Sequence, residues 1–407
     1  MGIQALPFFA VRYGVFLWLI GFPEEGGGVG NALFFGSSID DSAHCLDAQT
    51  GKAKWTFCTD GPVRLPPACS GGRAYLGSDD GAAYCLNAET GALLWKYKPA
   101  NDDRIIPCNG KLISPWPCRT GVLVQENKAY FAASLLPWKP SFLCAVDAGS
   151  GSDTGGGLYK TTHQKLVFQG PLLASPTKLY ASQGRSAPLV CDRATGKLLG
   201  TFGKSGDGGV YALLTNDDTF IHGRGQNHRA RGELRGFNAE TRDYIATFPH
   251  ATCIVTTDTL AYLHTPTELA AFDRLRYLDL QKQKNQWTTR KETVNKRLKK
   301  LGKNIDSQEA KKLNAERDQI NDALAKIADA LPACYLWKKP SPYPHALILA
   351  GDVLFAGGTD QVAAFNTRDG RKLWTAPVIG KAQGLAAANR RLFVSTDRGK
   401  IYCFTSK

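Results

Sequence analysis

The sequence predicts an all-β fold, an eight-bladed β-propeller made of four-stranded antiparallel blades. The first observation is a repeat, because CLDAQTGKAKW at residues 45–55 returns as CLNAETGALLW at residues 85–95. The spacing of about 40 residues is typical of one propeller blade. The second observation is the alternation of short apolar runs with Gly, Asp and Pro turns, which favours short strands. The third is that weaker copies bring the total to about eight, starting near residues 145, 190, 236, 270, 364 and 400.

Each repeat reads as a β-hairpin whose second strand carries a tryptophan. A side-chain oxygen before the turn accepts hydrogen bonds from backbone N–H groups across it, and the Thr-Gly pair closes it. Glycine fits there because it adopts a positive φ without steric cost. The residues predicted to dock each blade on its neighbour are Trp55, Trp95, Trp337 and Trp374, with the turn residues Asp47, Asn87, Gly51 and Gly91.

This pattern resembles the tryptophan-docking repeat, A-x-D-x-x-x-G-x-x-x-W, of propellers related to pyrroloquinoline quinone (PQQ) enzymes. That family includes quinoprotein alcohol dehydrogenases and the propeller lipoprotein of the Bam complex, both eight-bladed. The match is strong in residues 45–55 and 85–95 and good in residues 364–374, but Gly200 and Ala246 replace the tryptophan in the middle blades. The resemblance implies the fold and favours a periplasmic or cell-envelope location. It does not by itself imply quinone binding.

The blades follow one another along the chain in the predicted order. Blade one begins with residues 32–38, and blade two is read as four short strands within residues 62–99. Blade three begins with residues 110–124, whose first part we expect to be the innermost strand. The predicted division of the chain is residues 1–30 as an ambiguous apolar N-terminus, 31–274 as blades one to six, 275–334 as an inserted αα-hairpin, and 335–407 as the end of blade six to blade eight.

The N-terminus has two interpretations. Residues 10–22 are the candidates for a strand that completes the last blade, since the final repeat supplies no fourth strand. Residues 5–21 also resemble a poorly formed signal or anchor, because Arg12 interrupts them and no small-residue cleavage site follows. Association with a membrane is expected only through this segment.

The insertion carries most of the charge of the chain. The net charge is +14, and residues 274–340 hold 17 basic and 8 acidic residues, so the propeller itself is only mildly basic. Apolar residues recur at helical spacing in two arms, which predicts an antiparallel coiled-coil hairpin inserted in blade six. We expect Gly302 to end the first helix, and Asp306 with Glu309 to form the capping box of the second. The protruding basic hairpin indicates a protein partner, and no nucleic acid is expected, because stacking aromatic residues are few.

The eleven cysteines are predicted to be free thiols. Cys45, Cys85 and Cys403 occupy equivalent positions in different blades, too far apart to bridge, and only small or slim residues occur there. These thiols therefore read as core packing. Cys108 and Cys118 flank one loop and form the alternative, a single disulfide pair.

The candidate functional residues lie at the channel mouth on the face opposite the Thr-Gly turns. Acidic residues from blades one, two, seven and eight are expected on one side of this face, namely Asp40, Asp41, Asp79, Asp80, Asp360 and Asp397. Basic residues from blades four and five lie across the ring and include Arg185, Arg224, His228, Arg229 and Arg231. The candidate ligand-binding residues are Trp116, Arg119, Gln183, Arg185, His222 and Arg224.

Arginine side chains at a channel mouth can grip a small anion with two hydrogen bonds, and Trp116 would form an apolar wall. The alternative is that Arg119 and Arg185 are structural and bridge loops of adjacent blades. His222 and His228 lack acidic or cysteine partners at ligand spacing, so no metal site is predicted.

Two hypotheses on function follow. The first is a non-catalytic binding or scaffold module that recruits partners through the charged channel-mouth face and the basic hairpin; it has no catalytic residues and no cofactor. The second is a PQQ-dependent oxidoreductase, or another enzyme, with its site at the channel mouth, which would need PQQ and Ca²⁺. Neither adjacent cysteines nor a catalytic Asp segment of those enzymes occurs in the sequence.

Overall fold

The computed structural model describes residues 31–203, 208–209, 211–223, 233–301 and 307–405. The fold is an all-β propeller with one pair of helices. Within the described residues, the strands form seven sheets of three or more strands and one separate two-stranded hairpin. The predicted closing strand, residues 10–22, and the alternative signal or anchor, residues 5–21, lie outside the described part of the chain.

The strands follow the order of the chain within every sheet, so each sheet is a simple antiparallel meander. Sheet one contains β1 (Ala32–Ser37), β2 (Ser42–Asp47) and β3 (Ala53–Cys58). Sheet two contains β4 (Ala68–Ser70), β5 (Arg73–Gly77), β6 (Ala83–Asn87) and β7 (Leu93–Tyr97). The separate hairpin contains β8 (Ile106–Cys108) and β9 (Lys111–Ile113). Sheet three contains β10 (Leu123–Gln125), β11 (Lys128–Ala133), β12 (Ser141–Asp147) and β13 (Tyr159–His163).

The second half of the chain continues the same pattern. Sheet four contains β14 (Leu172–Ala174), β15 (Lys178–Gln183), β16 (Ser186–Asp192) and β17 (Leu198–Thr201). Sheet five contains β18 (Tyr211–Leu214), β19 (Thr219–Gly223), β20 (Glu233–Asn238) and β21 (Tyr244–Pro249). Sheet six contains β22 (Cys253–Thr256), β23 (Leu260–His264), β24 (Glu268–Asp273) and β25 (Tyr335–Pro340). Sheet seven contains β26 (Ala346–Ala350), β27 (Val353–Gly357), β28 (Thr359–Asn366), β29 (Lys372–Ala388), β30 (Arg391–Thr396) and β31 (Ile401–Thr405).

The predicted count of eight blades is wrong, because the last two predicted blades share one six-stranded sheet. Strand β29 runs through 17 residues, pairing with β28 in its first part and with β30 from Ala382 onward. Residues 372–388 thus form one strand, with no loop between the two predicted blades. Gly380 N donates to Asp360 Oδ1 at 2.8 Å, and Lys381 N donates to Asp397 Oδ1 at 2.8 Å, which satisfies the backbone where a loop was expected. Side chains from both halves of sheet seven pack in one cluster that includes Val362 and Val394.

The hydrophobic core is divided into clusters between neighbouring sheets. Sheets one and two meet around Phe34, Cys45 and Trp55, and the same arrangement recurs around the ring. Sheet seven packs on sheet one through Phe393 and Phe35, so the first and last described sheets are neighbours. The chain therefore closes on itself by side-chain packing between sheets one and seven.

The repeated turn has the same hydrogen bonds in several sheets. In sheet one, Asp47 Oδ1 accepts from Thr50 N at 2.7 Å and from Thr50 Oγ1 at 2.8 Å, and Gly51 has a φ of 69°. Hydrogen bonds from Thr50 lower the pKa of Asp47. In sheet two, Asn87 Oδ1 accepts from Thr90 N at 2.9 Å. The local sequence of the turn is thus sufficient to satisfy its own backbone.

Three tryptophans of the repeat, Trp55, Trp95 and Trp337, reach the turn of the following sheet. Trp55 Nε1 donates to Ala88 O at 3.0 Å, and a Cβ on Gly91 would lie 2.7 Å from the Trp55 ring. Trp95 Nε1 donates in the same way to Ala148 O at 3.0 Å. Trp337 Nε1 donates to Thr367 O at 2.9 Å. Glycine at the turn therefore leaves the space that the indole ring occupies.

The contact differs where the tryptophan is absent. Tyr159 occupies this position in sheet three and donates to Arg193 O at 3.2 Å. Gly200 occupies this position in sheet four and has no side chain to reach the next turn. Here the turn of sheet five reaches back instead, because Arg242 donates from Nη1 to Leu199 O at 3.0 Å. Trp374 is 37% exposed and contacts Phe404 with ring centroids 5.0 Å apart, within its own sheet.

Two helices, α1 (Arg274–Leu301) and α2 (Gln308–Ala330), lie between β24 and β25, which pair with each other. A short 3₁₀ turn, Pro332–Cys334, follows α2. The root of the hairpin packs on sheets five and six, where Tyr277 and Leu278 join the cluster between them. Asn285 Nδ2 donates to Ile245 O at 2.7 Å, beside Ala246. Helix α1 therefore covers the strand in which Ala246 replaces the docking tryptophan.

The distal part of the hairpin has its own apolar seam. Val294, Leu313 and Ile320 are buried between the helices, with Leu298 and Leu301 packed against them. The predicted capping box starts one residue too early, because Ser307 is the N-cap and its Oγ accepts from Ala310 N at 3.1 Å. Neither helix of the described chain has an apolar stretch long enough to cross a membrane.

The innermost strand of sheet three lies later in the chain than predicted. The innermost strand of sheet three is the last part of residues 110–124, not the first, because Lys111–Ile113 pairs with β8 in the separate hairpin.

All eleven cysteines are free, including Cys108 and Cys118. Cys45 is buried, and burial raises its pKa to about 11, whereas Cys403 is exposed.

Candidate functional site

Loops from all parts of the ring come together on one side of the propeller. In an antiparallel meander successive loops alternate between the two sides. Loops between the second and third strands of a blade therefore share a side with the connections between blades. We call this side the upper face. The Thr-Gly turns and the start of the helical hairpin belong to the opposite side, the lower face.

Asp79 is the centre of a buried ion network on the upper face. The Asp79 side chain is 1% exposed, and it accepts from Arg119 Nε at 2.9 Å and from Arg119 Nη2 at 2.8 Å. Arg64 Nε donates to Asp79 Oδ2 at 2.6 Å. Burial on its own lowers the pKa of Arg119, but the hydrogen bonds and charge of Asp79 outweigh it, and the net shift is upward. Arg119 thus joins the loops of sheets two and three.

Trp116, predicted as the apolar wall of a ligand site, lies inside the protein. It is 5% exposed and packs on Ala100 and Ala133. Its Nε1 donates to Pro140 O at 2.7 Å, in the loop between β11 and β12. The indole therefore joins the connection after sheet two to the upper loop of sheet three.

The remaining candidates belong to sheets four and five. Gln183 Nε2 donates to Ala187 O at 2.6 Å across the turn between β15 and β16. Arg185 is exposed in that turn. His222 is buried in β19 and stacks on Phe237, with ring centroids 5.1 Å apart. Arg224, His228, Arg229 and Arg231 lie outside the described residues. The structure thus distributes the described candidates over the loop before sheet three and over sheets four and five.

Several acidic residues of the upper face make contacts within the fold. Asp40 Oδ2 lies 2.9 Å from His44 Nε2, and Asp41 Oδ1 accepts from Lys111 Nζ at 2.9 Å. Asp360 and Asp397 accept from the backbone beside Gly380, as described above. The carboxylates that sequence placed on one side of the face therefore support loops.

A second buried group on this face is His264, at the end of β23. Its Nε2 lies 3.0 Å from Ser341 Oγ, in the connection between sheets six and seven. The side chain is 1% exposed, and burial lowers the pKa of His264 from 6.5 to about 4. The imidazole is therefore neutral near pH 7 and links two neighbouring sheets.

The propeller fold raises the question of whether PQQ and Ca²⁺ would fit. Among the residues with a described placement, no three His, Cys, Asp or Glu side chains form a group that could hold a metal ion. Trp116 is packed between sheets, and Arg119 is held by Asp79. These residues do not fit a quinone with its calcium ion, and we derive no reaction step through either.

The upper face also carries large apolar side chains that the sequence interpretation did not select. Ile39 is 62% exposed, Ile105 63%, Leu112 58% and Trp138 74%. They lie in the first upper turn, on or beside the β8–β9 hairpin, and in the loop between β11 and β12. We call these four residues the upper apolar surface. The signal available in the sequence was Trp138 itself, a tryptophan between proline and lysine.

Hydrogen bonds and a cation–π contact link the segments that carry this surface. Lys111 Nζ donates to Ile39 O at 2.7 Å, which fixes the β8–β9 hairpin against the turn of sheet one. The Arg104 guanidinium lies 5.8 Å from the centre of the Trp116 ring, which in turn bonds to Pro140, two residues beyond Trp138. These contacts hold the β8–β9 hairpin against the turn of sheet one and link the segment before it to the loop that carries Trp138.

Charged residues lie beside Ile105 of the upper apolar surface. Arg104 Nε donates to Asp102 Oδ1 at 2.9 Å, and hydrogen bonds from Arg104 lower the pKa of Asp102 to about 2. Lys98 Nζ lies 2.7 Å from Asp103 Oδ1. Exposed apolar side chains with a charged rim are the arrangement found in protein–protein interfaces.

Comparison with known proteins agrees with this architecture. The family model described as outer membrane protein assembly factor BamB matches residues 14–289 and 343–407. No curated protein matches the sequence. BamB from Moraxella catarrhalis has a similar structure, with a TM-score of 0.57, 13% identity, and coverage of 93% of this chain and 95% of that chain.

Two other solved structures show the breadth of the likeness. The quinohemoprotein alcohol dehydrogenase ADHIIG from Pseudomonas putida HK5 has a TM-score of 0.55 and 13% identity, with 94% of this chain and 70% of that chain covered. Sqt1 from Saccharomyces cerevisiae has a TM-score of 0.57 and 12% identity, with 100% of both chains covered. At these identities the structural likeness shows the fold alone. The predicted resemblance to PQQ-like propellers is confirmed, and the family model, which covers most of the sequence, shows that the chain belongs to the family described as outer membrane protein assembly factor BamB.

Proposed function

We propose that this protein is a non-catalytic binding module that holds a protein partner on the upper apolar surface. The observation that carries the proposal is the exposure of Ile39, Ile105, Leu112 and Trp138 on one face. Large apolar side chains that are exposed together on one face mark interaction sites. Membership of the BamB family supports a partner from the assembly of outer membrane proteins, and hence a cell-envelope location.

The chemistry of the surface favours a protein over a small anion as its ligand. Tryptophan and arginine dominate the binding energy of many protein interfaces, and both Trp138 and Arg104 are present here. The nearby guanidinium of Arg119, which would be needed to grip an anion, is already held by Asp79. The β8–β9 hairpin is tied to sheet one by Lys111, so the surface is preformed and a partner need not pay to order it.

Photo-crosslinking in the native cell tests the proposal without knowledge of the partner. A photoreactive amino acid is placed at position 112, at position 138 or at the control position 336, one at a time. Leu336 is 56% exposed on β25 and matches Leu112 in residue type and exposure. We expect one adduct of the same mass, and the same protein by mass spectrometry, from positions 112 and 138 but not from position 336.

Substitution then tests whether the surface is needed for binding. Trp138→Ala, Leu112→Lys and the control Leu336→Lys are compared for affinity toward the protein identified by crosslinking. We expect a loss of about tenfold or more for each upper-face variant, as for a residue near the centre of an interface. Equal adducts from all three positions, or unchanged affinity in both upper-face variants, would refute the assignment.

A further inference from the structure

The distal end of the helical hairpin carries a dense set of exposed cations. Lys296, Arg297, Lys299 and Lys300 lie in the last turns of α1, and all four are exposed. Lys311 and Lys312, also exposed, lie in the first turn and a half of α2. The nearest described acidic residues are Glu292 and Glu309. We call these six cations the basic tip.

The cations of α1 face away from α2. At about 100° per residue, Lys296, Arg297, Lys299 and Lys300 span an arc of roughly 160°. The seam residues Val294, Leu298 and Leu301 centre on the opposite side of the same helix, where they pack against α2. The basic tip is therefore presented to the surroundings and takes no part in holding the hairpin together.

The charges of the basic tip are not neutralised inside the described structure. Two ion pairs of the hairpin join Arg274 to Asp217 at its root and Arg290 to Glu316 between the helices. None of the six tip cations has an ion pair with a residue whose placement is described. The mutual repulsion of the cations costs stability, and contact with an external anionic surface would relieve it.

We propose that the basic tip is an electrostatic binding surface for a membrane that contains anionic phospholipids. A broad arc of cations on the outer side of α1 fits an extended negative plane. A specific protein interface would need apolar or aromatic anchors, and the described apolar residues near the tip are used in the hairpin seam. Single-stranded nucleic acid is bound on stacking aromatic side chains, and the described tip has none.

The position of the tip makes this binding compatible with a protein partner. The hairpin starts at the lower face, opposite the upper apolar surface. The last described root contact is Asn285, so α1 extends about 24 Å beyond it at 1.5 Å per residue. Membrane binding by the basic tip is independent of the proposed protein-binding function. Either proposal can be wrong while the other holds.

The test is co-flotation of the full chain with vesicles of phosphatidylcholine, with or without phosphatidylglycerol. We expect binding only when phosphatidylglycerol is present, and weaker binding as salt is added. The tip variant replaces Lys296, Arg297, Lys299 and Lys300 with glutamine. Its affinity should fall by up to about a thousand-fold, since each cation near an anionic surface is worth ~1 kcal/mol and 1.4 kcal/mol is tenfold.

A charge-matched control separates a local surface from net charge. It replaces Lys52, Lys54, Arg368 and Lys372 with glutamine, four exposed cations near Thr-Gly or Asp-Gly turns of the lower face. This control should keep nearly all of the vesicle affinity, and circular dichroism should show equal helix content in both variants. The proposal is overturned if the original protein ignores anionic vesicles, if the control loses as much as the tip variant, or if a DNA duplex or an acidic protein binds the tip while vesicles do not.

Discussion

Replacing Asp79 with alanine should be among the most destabilising single changes on the upper face. The carboxylate is 1% exposed and accepts three hydrogen bonds, two from Arg119 and one from Arg64. Without it, the Arg119 guanidinium, whose side chain is 18% exposed, keeps its charge in a largely buried site. Removal of one partner from a buried ion pair costs ~3–5 kcal/mol.

The loss of stability in Asp79→Ala should lie near the lower end of that range. Arg64 is 31% exposed, so water can replace part of its lost interaction. We expect Asp79→Ala to lower the free energy of unfolding by about 3 kcal/mol. Arg119→Met should cost about 2 kcal/mol, because Asp79 keeps its hydrogen bond from Arg64. The double variant should cost less than the sum, since the second change removes a group that the first left unpaired.

Urea unfolding followed by tryptophan fluorescence gives these energies, and circular dichroism checks that the variants are folded in water. Arg185→Met is the matched control, because Arg185 is an exposed arginine in another upper turn. The control should change stability by less than about 0.5 kcal/mol. If Asp79→Ala lies within 1 kcal/mol of the original protein, as an order-of-magnitude bound on a surface pair, the network is not structural and the interpretation of Arg119 is wrong.

Three other predictions follow from the fold. Trp95→Ala should lower the free energy of unfolding by ~3–5 kcal/mol in the same urea assay, as for a large buried aromatic residue; a loss below ~1 kcal/mol would contradict its docking role. Replacement of residues 287–324 by a short Gly-Ser linker should leave the thermal midpoint nearly unchanged, because the root contacts remain, whereas a cut at 278–331 removes Leu278 and should lower it. Between pH 6.5 and about 4 the unfolded state binds a proton at His264 that the folded state does not. The free energy of unfolding should therefore decrease by about 3 kcal/mol as the pH is lowered through this range. His264→Gln should remove that part of the pH dependence, and an unchanged pH dependence in this variant would exclude His264 as its source.

Features set by local sequence could be predicted most fully. The turn at Asp47 uses a side chain, a threonine and a glycine within five residues, so its hydrogen bonds do not depend on the rest of the chain. The helical arms were predictable for the same reason, because Val294 and Leu298 repeat at helical spacing.

Features set by contacts between distant residues could not be predicted. The join between the last two predicted blades depends on Asp360 and Asp397, which bond a backbone segment some 20 residues away. The partner of Arg119 lies 40 positions earlier in the chain, so the sequence alone left the ligand-binding and structural interpretations open. The exposed side of Leu112 depends on β8–β9 pairing, in a segment that sequence assigned to an innermost strand.

The outer strand of sheet four has a consequence for local unfolding. Trp55, Trp95, Tyr159 and Trp337 each cover the turn of the next sheet, but at Gly200 the contact with the next turn is the exposed Arg242 guanidinium on Leu199 O. Sheets four and five themselves stay joined by a buried cluster around Phe220 and Phe237. Segments with few buried contacts open first. Amide hydrogens of β17 should therefore exchange with solvent sooner than those of β7, while the rest of the ring stays closed.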